Sequence, residues 1–224
     1  MRTVEKGIAP NVYQKYGDAK HDLAGRIGYY CSYCEMSVHN MLEVEHVHPR
    51  ANGGADLDWD NFLLSCKYCN TIKSSRNLNR IGYLWPDQDN TDLAFEYNSA
   101  NEVSVKTGLT GTLAQAAENT IHLMGLDRLP GHAAPTPADT RWRSRQEAWD
   151  KANRSLNNWR RAPIPEMAAQ IALSALESHY SVWMTVFEGI PDVLAAIDLE
   201  YGRFGLFKDR DAAGNRVIRT NGQI

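Results

Sequence analysis

The stretch Leu42-Glu43-Val44-Glu45-His46-Val47-His48-Pro49, followed by Asn52-Gly53-Gly54 and then Asp60-Asn61-Phe62-Leu63-Leu64, decides the fold. From Leu42 to Val47 the residues alternate in the manner of a strand, and Pro49 with the Gly pair ends it. Phe62-Leu63-Leu64 reads as a second short strand, and Cys66 to Arg76 as a helix. A Cys-x-x-Cys pair flanks each end, Cys31/Cys34 before the first strand and Cys66/Cys69 after the second. The order is knuckle, strand, loop, strand, helix, a ββα unit whose two knuckles converge.

All 4 cysteines of the chain fall in those two pairs. A Cys-x-x-Cys turn lets two thiolates reach one ion, and two such turns complete a closed four-thiolate zinc site. A closed site is structural, and it would staple both ends of a unit with little core of its own. The alternatives are a redox pair or four unrelated buried cysteines. The pairs stand farther apart than the roughly 15–20 residues of a compact zinc ribbon. The insert between them holds the chemically interesting residues.

Outward from this unit, Asp18 to Ile27 suits a short amphipathic helix leading into Cys31. Ala94 to Val105 reads as a hairpin, and Thr112 to Leu126 as a helix with Gly125 near its end. Gly131 to Pro137 is rich in Pro and Ala, a linker. Three helices are expected beyond it, Ala138 to Arg161, Pro165 to Phe187 and Asp192 to Tyr201. Asp209 to Ile224 is a polar tail, either mobile or a small hairpin. The expected division is an N-terminal segment (1–30), the knuckle-bearing core (31–80), a hairpin and helix extension (81–130), a helical region (131–208) and the tail (209–224). The fold class is α+β, a small zinc-stapled ββα core with a mostly α-helical C-terminal region.

The 224 residues are 43% hydrophobic and 23% charged, ordinary for a globular protein with a core. A net charge of -3 gives no global sign of nucleic-acid binding, so any phosphate-facing surface is local. No apolar run approaches the roughly 20 residues of a bilayer span, and the opening Met1-Arg2-Thr3-Val4-Glu5-Lys6 lacks a secretory apolar stretch. A cytoplasmic location is expected. From Ala138 to Arg161 seven basic residues, among them Arg141, Arg143 and Arg145, oppose three acidic ones. This is either a solvated face over a stripe of Trp142, Trp149 and Leu156, or a surface that leads nucleic acid to a site.

Glu45-His46, the Gly-Gly loop, Asn61 before the second strand and Cys69-Asn70-Thr71-Ile72-Lys73 on the helix together resemble the HNH nuclease family, whose Cys-flanked members carry their pairs where these fall. The resemblance implies a ββα-metal fold and hydrolysis of phosphodiester bonds, which needs an in-line water, a base, and positive charge for the phosphate and leaving oxygen. By resemblance His46 is the general base, suited by an imidazole that titrates near neutrality. Glu45 and Asn70 would be oxygen ligands of a catalytic Mg²⁺ or Mn²⁺ ion. Asn61 would brace the loop and so orient His46. Lys73, Arg76 and Arg50 would hold phosphates of the nucleic acid. His48, two residues from His46 and on the same strand face, is a second ligand or the alternative base. Glu45 stands where many members of the family have Asp.

Tyr30-Cys31-Ser32-Tyr33-Cys34-Glu35, Glu45-His46 and Ala117 to Leu126 are similar to a subgroup of bacterial HNH proteins that includes the nuclease subunit of the Septu anti-phage system, encoded beside an ATPase. That likeness runs to about Arg128 and implies an antiviral endonuclease, acting on DNA, with an ATPase partner. The apolar Pro165 to Phe187 helix would be a docking surface or an ordinary core helix. The competing readings are a zinc-stapled binding module without catalysis and a stand-alone nuclease of a restriction or mobile-element system.

Overall fold

Leu42–His46 forms strand β1 and Phe62–Cys66 forms β2. They pair antiparallel with Leu42 opposite Cys66 and His46 opposite Phe62. Helix α2, Lys67–Lys73, follows without a break, and the Cys66 thiol that caps it accepts from the Cys69 backbone N–H. The helix stops a turn earlier than Arg76, because Ser74 takes a positive φ of 47°. Helix α1, Lys20–Ile27, follows a 3-10 turn at Tyr16–Ala19 and buries Leu23, Ala24 and Ile27 against the hairpin. The computed structural model describes residues 1–134 and 138–224, so the last part of the expected linker lies outside the described residues.

A second hairpin, β3 (Phe95–Tyr97) and β4 (Val103–Val105), packs through β4 on helix α3, Gly111–Met124. Gly125 closes α3 in the left-handed region at φ 58°, the conformation that a helix C-terminus favours in glycine. The remaining chain is helical: α4 (Arg141–Arg161), α5 (Pro165–Ala175), α6 (Tyr180–Val186) and α7 (Pro191–Gly202). α5 packs on α7, and α4 on α5 and α6. The fold is thus two small antiparallel sheets and their helices, with a helical C-terminal region. Among the described residues no helix is long and apolar enough to cross a membrane.

Two expectations change. The single helix from Pro165 to Phe187 is two helices, broken where His179 adopts φ 56° and its N–H bonds the Glu35 carbonyl at 3.1 Å. Its apolar face, with Ile171, Ala172, Val182 and Trp183, lies inside the chain's own core and is no free docking surface. The stripe on α4 also differs. The buried positions are Arg141, Arg145, Ala148, Ala152, Leu156 and Trp159, with Trp142 and Trp149 only half-buried. Two of the basic residues therefore point inward. The tail folds back on the body, where Arg219 donates to the Pro86 carbonyl at 3.0 Å and pairs with Glu5 at 2.9 Å.

Candidate active site and thiolate cluster

The knuckles converge. Cys31, Cys34, Cys66 and Cys69 are all buried, and their sulfurs lie within 4.8 Å of one another. Cys34 Sγ and Cys66 Sγ are 3.7 Å apart. A tetrahedron with Zn–S bonds of about 2.3 Å has edges of about 3.8 Å. The residues thus fit a structural zinc ion, with no position left open for chemistry. The first knuckle is anchored from outside: Glu35, at φ 63°, accepts from the Ser181 N–H at 2.9 Å and its hydroxyl at 2.6 Å. The second is anchored by Arg141, whose guanidinium reaches Cys69 Sγ at 3.1 Å. Burial works against the Arg141 charge, but Cys69 and Asp139 overrule it and hold its pKa above the usual guanidinium value.

His46 ends β1, and its ring stands edge-on to Phe62 and Tyr16, with centroids at 5.2 and 4.9 Å. Its Nε2 lies 3.0 Å from the Asp56 carbonyl oxygen. A carbonyl only accepts, so Nε2 carries a proton, and in the tautomer that this bond selects the lone pair falls on Nδ1. The Asp56 carboxylate lies 3.6 Å from the same nitrogen and 3.1 Å from the Arg50 guanidinium, which covers the Tyr16 ring at 4.7 Å. The structure therefore gathers Tyr16, His46, Arg50 and Asp56 on one side of the hairpin. Arg50 is half exposed there and paired with Asp56.

The loop between the strands is held by its own amides. Asn61 accepts from the His48 N–H at 2.7 Å and donates to the carbonyls of His48 and Ala55 at 3.0 and 2.9 Å. Asn52 donates to Ser75 and Asn77 beyond α2, both at 2.8 Å. Gly54 passes so close to His48 that a Cβ there would sit 1.9 Å from the His48 carbonyl oxygen, so a side chain is excluded. His48 Nε2 is 2.9 Å from the Asn52 carbonyl, a lock of the same kind as that on His46. His48, by contrast, lines a hollow of about 430 Å³ with Asp58, Asp60 and Arg80.

Glu45 is not on the His46 side. Alternation along β1 turns it inward, where it is 2% exposed. One carboxylate oxygen accepts from the Tyr33 hydroxyl, and the other pairs with Lys73 Nζ at 2.5 Å. Lys73 is 1% exposed and also donates to the His46 carbonyl at 2.8 Å, so it is a buried cation and not a phosphate contact. Burial lowers its pKa, with Glu45 opposing. Asn70, one helical turn before Lys73, bonds Glu43 instead of meeting Glu45. Glu45 and Asn70 thus do not form an open oxygen shell for a divalent ion in this arrangement. Arg76 is exposed but caps α3 by donating to the carbonyls of His122 and Leu123.

The sequence did not single out Tyr33, Glu43, Asp56 or Asp139. For Glu43 a signal existed: Glu43 and Glu45 are two apart and share a strand face, so one helix turn meets both. Arg141, Arg143 and Arg145 read as one basic face, whereas the i, i+4 spacing of Arg141 and Arg145 continues the buried stripe through Ala148.

No curated protein matches the chain. The family model described as HNH endonuclease matches residues 31–76, which span both knuckles, the hairpin and α2. The chain therefore carries an HNH endonuclease domain at residues 31–76.

Proposed function

We propose that this chain is a metal-dependent endonuclease that hydrolyses phosphodiester bonds in DNA, with His46 as its general base. The observation that carries the assignment is the donation of His46 Nε2–H to the Asp56 carbonyl, which leaves Nδ1 as the proton acceptor. Nδ1 takes the proton of a water as its oxygen attacks phosphorus and the bond from phosphorus to the leaving oxygen breaks. Asn61 is a positioning residue: it fixes the segment that presents Asp56. Arg50 exchanges its Asp56 partner for a phosphate oxygen. HNH nucleases use a divalent ion, so dependence on Mg²⁺ or Mn²⁺ belongs to this reading. The ligand set expected at Glu45 and Asn70 does not support it.

The test uses the purified, zinc-bearing chain with supercoiled plasmid and with single-stranded RNA, titrating Mg²⁺ and Mn²⁺. His46→Ala, matched to the parent in zinc content and circular dichroism, is expected to lower cleavage by about 10²–10⁴-fold. A His46→Ala protein that cuts as fast as its parent overturns the assignment. One observation favours a second reading, a zinc-stapled binding module: Glu45 is already neutralised by Lys73. That reading holds if the parent binds DNA but cleaves neither substrate under any ion. The finer proposal, an effector of anti-phage defence with an ATPase partner, rests on the Septu-like motifs of the N-terminal half. Co-purification with the product of an adjacent ATPase gene tests it.

A further inference from the structure

We propose that Arg141, far outside the matched segment, is an outer-sphere residue of the zinc site, and that Asp139 positions it. This rests on reading the four thiols as a zinc site. A zinc ion with four thiolates carries a net charge of −2, which a buried site must offset. Arg141 is 2% exposed and places its Nη1 3.1 Å from Cys69 Sγ.

The other four N–H groups of the guanidinium are also used. Nη1 donates to the Met124 carbonyl and Nη2 to the Gly125 carbonyl, both at 2.8 Å. Nε and Nη2 form a fork on the Asp139 carboxylate at 2.8 and 2.7 Å. A guanidinium has five donors in a fixed plane, and here each has a partner. The orientation is thus over-determined, and a lysine ammonium, with three donors on a flexible stem, does not reproduce it. Met124 and Gly125 end α3, whose last carbonyls lack helical partners. One side chain therefore joins a zinc ligand on α2, the end of α3 and the start of α4. Zinc occupancy and the seating of the helical region are coupled through it.

Zinc stoichiometry of the full chain is measured first; a parent without zinc refutes the zinc reading itself and the proposal with it. Zinc release to a chromogenic chelator is then compared for Arg141→Gln, Arg141→Lys, Asp139→Asn and Arg145→Gln. Arg145 is a control, because its guanidinium is equally buried but bonds the Asn101 and Leu126 carbonyls and no sulfur. Arg141→Gln is expected to weaken zinc binding about 10–100-fold, the range for loss of an outer-sphere partner, with Arg141→Lys and Asp139→Asn between it and the parent. In the Co²⁺-substituted protein the sulfur-to-metal charge-transfer band is expected to shift with the same order. Parental zinc affinity and an unshifted band in Arg141→Gln overturn the proposal. So does Arg145→Gln releasing zinc as readily, since the effect would then be general loosening. If Arg141→Gln does not purify, Arg141→Lys and Asp139→Asn decide by the same two readouts.

Discussion

Replacing Lys73 by Met tests whether Glu45 is held by a cation of the protein or waits for a metal. Lys73 and Glu45 are 1% and 2% exposed, and their charged atoms are 2.5 Å apart. Removing one partner of a buried pair leaves the other charge without compensation, at a cost of about 3–5 kcal/mol. The lost hydrogen bond to the His46 carbonyl adds about 1 kcal/mol. A domain of this size is stable by about 5–15 kcal/mol, so Lys73→Met should fold but unfold at distinctly lower denaturant. Adding Glu45→Gln removes the stranded charge while keeping an acceptor for the Tyr33 hydroxyl. The double variant is expected to be more stable than Lys73→Met alone, with a coupling energy of about 2 kcal/mol. The assay is urea denaturation at fixed zinc, repeated at high salt, which should leave a buried coupling nearly unchanged. The reasoning is refuted if Lys73→Met costs less than about 1 kcal/mol while Mg²⁺ stabilises the parent and not Glu45→Gln. Glu45 would then be a metal ligand after all.

Gly54→Ala places a methyl group 1.9 Å from the His48 carbonyl oxygen, a clash of backbone with side chain that only a shift of the loop relieves. Cleavage should fall well below that of Gly53→Ala, where no atom lies within 4 Å and only the φ of 91° opposes a side chain; equal rates for the two would remove the loop from the mechanism. Asp87 gives the pH prediction. Burial pushes its carboxyl up, but Arg80 and Lys6 overrule this and hold it at about 2. A carboxyl depressed on folding stabilises above its unfolded value and loses that contribution as pH falls through the folded one. About 2 kcal/mol should therefore disappear between about pH 4 and pH 2. Asp87→Asn should flatten that acid limb, and an unchanged slope would show that the ion pair is not its source.

The ββα unit was legible because its signals are local. Strand alternation, the Gly-Gly turn and paired cysteines each act within a few residues, and together they fix the order of elements before any distant contact forms. The partners of the charged residues were not legible, because polarity alone does not say which side of a strand faces water. Glu45 read as a metal ligand, Lys73 as a phosphate contact, and Arg141 and Arg145 as part of a basic helix face, yet all four are buried. Each is accounted for by a partner distant in sequence: Lys73 for Glu45, and for the two arginines the carbonyls that end α3 and the residues just beyond it. The break between α5 and α6 has the same origin. Glu177-Ser178-His179 carries no proline or glycine, and His179 enters the left-handed region where its N–H meets the carbonyl of Glu35. Glu35 follows the first Cys-x-x-Cys knuckle and Arg141 touches the second, so the helical region is anchored at both sides of the cysteine cluster. The helical region is thereby part of what holds the four thiols in place. Mutations in α4 or α6 can then alter the nuclease domain without approaching His46.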